Sequence, residues 1–177
     1  MGSKLVCAIA GLSIAAMAAN ATFAQEQSTN RVATETDWSV FEESQPRECW
    51  SVSAPKETVN TRDGRVVAVK RSDILLMVFY RPDANVKGQV TFTGGYPFAE
   101  GSTVNLNISG NEFELFTEGE WAWPASADED KQIITAMKRG TDAVLTARSS
   151  RGTQTKDTFS LLGFTAAAED ADKRCSK

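Results

Sequence analysis

Residues 149–175 read SSRGTQTKDTFSLLGFTAAAEDADKRC, and their pattern decides the fold. Gly152-Thr153 supplies a turn, and Phe159 and Leu161 then alternate with Thr158 and Ser160, the two-residue period of a half-buried strand. Gly163 marks its end. From there Phe164, Ala168, Ala171 and Cys175 are spaced by four, three and four, which places them on one face of a helix. The terminal cysteine is therefore expected to face the body of the protein.

Working back toward the amino end, strand patterns dominate. Val144 to Ala147 is a strand, preceded by Ser126-Ala127-Asp128-Glu129, a capping box that opens a short amphipathic helix with Ile133, Ile134 and Met137 on its apolar face. The acids Asp128, Glu129 and Asp130 are explained by the helix dipole, without a metal. Val104, Leu106 and Ile108 alternate with polar residues, Gly110-Asn111 turns the chain, and Phe113 and Leu115 return it as a hairpin. Trp121-Ala122-Trp123 is a strand stopped by Pro124.

Ile74 to Tyr80 is an unbroken apolar and aromatic run, predicting a strand buried on both faces. Val90 and Phe92 form another, and Tyr96-Pro97-Phe98 reads as a loop whose aromatics plug the core. Further strands are predicted at Trp38 to Phe41, at Cys49 to Val52, and at Val66 to Val69 after the turn Thr61-Arg62-Asp63-Gly64. Eight or nine short strands with two small helices predict a mostly β protein. The expected form is an antiparallel β-sandwich of immunoglobulin- or jelly-roll-like kind, with a closed barrel as the alternative.

The amino terminus carries an address. Lys4 precedes an uncharged run from Leu5 to Ala19, with small residues near Ala24, which reads as a secretory signal peptide over residues 1–24. The run is too short for a comfortable membrane span, so no retained transmembrane anchor is expected. Residues 25–36 read as a polar, flexible leader and residues 37–177 as one domain. Removal of the signal peptide leaves 18 basic and 23 acidic side chains, a net charge of −5. Such a balance argues against nucleic acid as a partner.

Two cysteines survive processing, Cys49 and Cys175. In an exported chain an even pair reads as a disulfide, with two free thiols or a metal pair as the competing reading. The sequence contains no histidine, so Ser-His-Asp and Cys-His machinery and histidine metal sites are excluded. Phosphate loops of the glycine-rich kind are absent as well. Glu112 and Glu114 share a strand face and Glu118 and Glu120 flank a turn, without the opposed placement a glycosidase needs. No catalytic residue, cofactor or metal is expected, and the chain reads as no enzyme.

Two places remain for binding. Arg148, Ser149, Ser150, Arg151 and Thr153 join guanidiniums, hydroxyls and a turn glycine into a surface suited to an anion or a sugar acid. The structural alternative is a turn whose arginines pair with acids such as Asp157. Trp121 and Trp123 share one strand face, either as an aromatic platform for a sugar or as packing.

A run of short motifs resembles the invasion-associated locus B family of exported Gram-negative proteins. Its carriers are Cys49-Trp50, Tyr80-Arg81-Pro82, Gly95-Tyr96-Pro97-Phe98, Ala122-Trp123, and Ala136-Met137-Lys138 with Gly140. They continue with Ser149 to Thr153, Asp157 to Leu161, Gly163 to Ala167, and Cys175. The resemblance covers Trp38 to Cys175. It implies a periplasmic or envelope-associated β-sandwich with a disulfide, linked in name to host-cell invasion, and it supplies no catalytic residues. The expected function is an exported binding protein for an envelope or host protein or glycan, staying in the periplasm or reaching the surface. The alternatives are a structural or stress-protective periplasmic factor, which a broad exposed apolar patch would favour, and a histidine-independent glycan-acting enzyme.

Overall fold

A computed structural model describes residues 30–176; the expected signal peptide and the first residues of the leader lie outside them. The chain begins with β1 (Arg31–Glu35), β2 (Trp38–Ser44) and β3 (Arg47–Ser53), followed by the hairpin β4 (Glu57–Arg62) and β5 (Arg65–Val66). Next come β6 (Leu75–Arg81), β7 (Val86–Thr93), β8 (Thr103–Ile108), β9 (Asn111–Glu118) and β10 (Trp121–Trp123). Helix α1 (Ala127–Met137), β11 (Asp142–Arg148), β12 (Gln154–Ser160) and helix α2 (Phe164–Cys175) complete the fold.

All the strands belong to one antiparallel ladder, in the order β1-β2-β3-β6-β7-β10-β9-β8-β11-β12-β4-β5. Four strands separate β7 from β12 in that order, yet Phe92 and Phe159 meet edge to face at 6.2 Å between ring centroids. The ladder therefore folds over on itself into two facing layers with the core between them, a sandwich-like arrangement made from a single sheet. It ends at β1 and β5 rather than closing into the alternative barrel.

The period of two put the right residues inside. Val40, Cys49, Val78, Phe92, Leu106, Leu115, Leu145 and Phe159 are all fully buried. Along α2, Phe164, Ala167, Ala168, Ala171 and Cys175 are buried, the face its spacing predicts. Gly163, at φ +88°, turns the chain from β12 into that helix. The helix covers β2 and β3: the Trp38 ring packs 4.8 Å from Phe164 while its Nε1 donates to Ser160 O at 3.0 Å. Cys49 on β3 and Cys175 at the end of α2 form the expected disulfide, with Cα atoms 5.8 Å apart.

Three differences from the sequence reading lie near the two ends of the ladder. The leader expected over residues 25–36 contains a strand, since Arg31–Glu35 pairs with β2. The strand expected at Val66 to Val69 shortens to Arg65–Val66, and residues 67–74 run as an irregular strap. Ordered pairing appears earlier instead, in β4, which carries the single apolar residue Val59 and lies against β12. Strands at a sheet edge are held by main-chain hydrogen bonds that need no apolar alternation, so hydrophobic periodicity does not announce them.

At α1 the Ser126 hydroxyl accepts from Glu129 N and Glu129 Oε2 accepts from Ala125 N, a capping arrangement as expected. Asp130 does more than offset the dipole. It is buried, and its Oδ1 accepts from Val90 N at 2.8 Å, fastening α1 to β7.

Candidate functional site

The turn after β11 is built from its own hydroxyls. Ser149 N donates to Thr153 O, Gly152 N donates to Ser149 O, and Thr153 N donates to Ser149 Oγ at 3.1 Å. Ser150 N donates to Pro97 O, tying this turn to the loop after β7. Ser149 and Thr153 are buried by this work, whereas Arg148, Ser150 and Arg151 are exposed.

Facing the turn lies the strap 67–74. Ser72 N donates to Gly95 O at 3.0 Å, an approach so close that a Cβ on Gly95 would meet Ser72 O at 2.6 Å, and Gly95 also takes φ +70°. Only glycine fits there. The strap is pinned by Arg71, whose Nε donates to Gly94 O at 2.8 Å and whose two terminal nitrogens donate to Asp157 at 2.7 and 2.6 Å. Its guanidinium also lies 4.9 Å over the ring of Tyr96. Tyr96 OH and Thr155 Oγ1 share a hydrogen bond of 2.5 Å.

Burial raises the pKa of the Tyr96 hydroxyl, partly offset by the Thr155 bond and by Arg71. Burial likewise raises that of Asp157, against the pull of its Arg71 bonds. Tyr96 stands in the wall of the recess, and Asp157 lies buried beneath it.

Between strap and turn is a recess of about 530 Å³. Arg62, Lys70, Arg71 and Arg151 line it, with Tyr96, Pro97, Ser150 and a single carboxylate, Glu120. Arg62 is positioned by donation to Thr153 Oγ1 at 2.7 Å. Arg71 is neutralised by Asp157, but among the described residues Arg62, Lys70 and Arg151 form no ion pair. A protein with a formal charge of −4 thus holds, around one concavity, three cations that no carboxylate among the described residues neutralises. Such an arrangement suits a carboxylate, sulfate or phosphate group.

Of the surface residues expected from sequence, Ser150 and Arg151 line the recess directly, and Ser149 and Thr153 shape it. Arg148 is exposed outside the lining, and Asp157 is fully buried beneath it. The partner expected for Asp157, an arginine of the turn, is replaced by Arg71. Tyr96, expected as a core plug, packs half-buried against the core and also walls the recess, and Phe98 enters the core. Trp121 and Trp123 lie elsewhere, on the outward parity of β10, with Ala122 between them buried. Arg62, Lys70 and Arg71 were missed by sequence reasoning. Their only signal was a cluster of cations between residues 62 and 71, with nothing to connect it to a turn some eighty residues later.

Among the described residues no helix is long and apolar enough to cross a membrane. The folded-over antiparallel ladder, with its amino-terminal half tied by a disulfide to a carboxy-terminal helix, defines a mostly β, sandwich-like protein with a surface recess. The chain belongs to the invasion associated locus B (IalB) family, whose family model matches residues 38–172. Its fold is similar to the crystal structure of invasion associated protein B from Bartonella henselae, with a TM-score of 0.57 and 16% identity. That match covers 82% of this chain and 98% of the Bartonella chain. No curated protein matches the chain in sequence.

Proposed function

We propose that this IalB-family protein is an exported, non-enzymatic binding protein of the bacterial envelope, whose recess captures an acidic group of a glycan or protein partner. The periplasm is the compartment this reading requires, since the signal-peptide pattern directs export and a disulfide persists in oxidising surroundings. One observation carries the binding site: Arg62, Lys70 and Arg151 converge on the recess and, among the described residues, form no ion pair. Cations left unpaired around a concavity repel one another unless a ligand neutralises them.

The test is binding of labelled oligogalacturonate and of polyglutamate to the mature chain, at low and at physiological salt. Lys70→Ala with Arg151→Ala is expected to weaken capture roughly tenfold while leaving the melting temperature near that of the parent. Arg148→Ala is expected to change little. Equal capture by the double variant and the parent would remove the site.

A further inference from the structure

The ladder carries a second apolar layer on its outer side. Phe41 on β2, Trp50 on β3 and Phe79 on β6 are cross-strand partners, stacked at 5.3 and 5.9 Å, and Arg81 lies 4.4 Å over Phe79. Met77 is only 5% exposed, yet it lies outside the main core cluster, as expected for a residue on the opposite face of β6 from Leu76 and Val78. Antiparallel sheets ordinarily turn a polar face to water. This one does not.

The layer continues toward β9. Val52, Met77 and Thr91 are successive partners on β3, β6 and β7, and the register of Trp121 with Thr93 sets Trp123 beside Thr91. Trp123 in turn pairs with Phe116, and Phe116 with Thr103. Six strands at about 4.8 Å spacing make this row roughly 24 Å long. Phe116 is 53% and Trp121 42% exposed at its open end, and the buried hydroxyl of Thr91 has no hydrogen-bond partner.

Charge is distributed unevenly along this face. Glu112, Glu114 and Glu118 share the outward parity of β9 with Phe116, and Glu118 stands directly opposite Trp121. Among the described residues none of them forms an ion pair. The single outward arginine of the aromatic stack, Arg81, is already paired with Glu48 at 2.9 Å.

We propose that the outer face at the β9–β10 end docks an amphipathic polypeptide segment of a partner protein, one that carries lysine or arginine beside its apolar side chains. Phe116 and Trp121 leave apolar surface open to water at the end of this row, and such surface marks a contact site. The unpaired glutamates and the indole faces both select a cation at the rim. An acidic sugar is repelled by Glu118 beside Trp121. A second copy brings its own glutamates to the same place in a two-fold contact, so that like charges oppose one another.

The experiment titrates the mature protein into two short fluorescent amphipathic peptides with the same leucines, one bearing lysine and one bearing glutamate. The lysine peptide is expected to bind at least about tenfold tighter. Trp121→Ala should weaken it roughly fivefold, and Glu118→Lys by a similar factor. Glu57→Lys, the same charge change on exposed β4, should leave the affinity within about twofold. Arg151→Ala in the recess should not alter it, which separates this face from the acidic-ligand site. Equal binding of both peptides, or equal losses in Glu118→Lys and Glu57→Lys, would overturn the proposal. So would a dimer in sedimentation that Trp121→Ala abolishes, or saturable binding of a neutral oligosaccharide at Trp121 in place of the peptide.

Discussion

Arg71 and Asp157 face each other through two parallel hydrogen bonds of 2.7 and 2.6 Å, with side chains 5% and 0% exposed, and so join the strap 67–74 to β12 across 86 residues of sequence. Removing one partner leaves a buried charge alone. Arg71→Met is therefore expected to cost about 3–5 kcal/mol in urea unfolding, with the double variant Arg71→Met/Asp157→Leu recovering most of the loss. A single variant as stable as the parent would show that the pair is not coupled to folding.

The Cys49–Cys175 bond closes a sequence separation of 126 residues. On the loop-entropy account its removal by Cys175→Ser destabilises the oxidised protein by about 5 kcal/mol. Guanidinium unfolding checks this, and reductant should bring the parent to the midpoint of the variant.

Gly95→Ala places a methyl against the Ser72 carbonyl at a residue with φ +70°. The strap must shift, at a cost of about 1–3 kcal/mol. Because the strap carries Lys70, capture of oligogalacturonate should fall more than stability does. Calorimetry and binding on the same sample distinguish the two effects.

Asp130 is buried on α1, and burial holds its carboxyl above the usual range despite the hydrogen bond from Val90 N. A raised folded-state pKa means that the ionised form is the costly one in the native protein. This penalty is present at neutral pH and is relieved as pH falls through the folded-state pKa. Asp130→Asn keeps an acceptor for Val90 N without the charge. Its melting temperature relative to the parent should be highest at pH 7 and should decline toward about pH 4. A difference that stays constant with pH would contradict this role.

The interior was legible in the sequence because burial imposes a period. Phe159 and Leu161 alternate with polar neighbours, Phe164 to Cys175 follows a helical face, and all four are buried. Cys49 and Cys175 were readable as a pair from their number. The strands near the ends of the ladder were not legible: β1 and β4 are ordered by main-chain bonding to β2 and β12, which leaves no mark on side-chain pattern. The recess was legible by half. Ser149 to Thr153 announced a turn with cations, but its opposite wall comes from Arg62, Lys70 and Arg71, brought there by tertiary contacts such as that of Arg71 with Asp157.

The hairpin β4–β5 lies in sequence between β3 and β6, which are neighbours, yet its own neighbour is β12 at the far end of the ladder. A chain emerging amino end first can zip β3 to β6 early, looping out the residues between them. The looped hairpin then waits, with one edge bare, until Thr155 arrives to meet Asn60. The last strand thus both completes the sheet and retires an edge that would otherwise invite strangers.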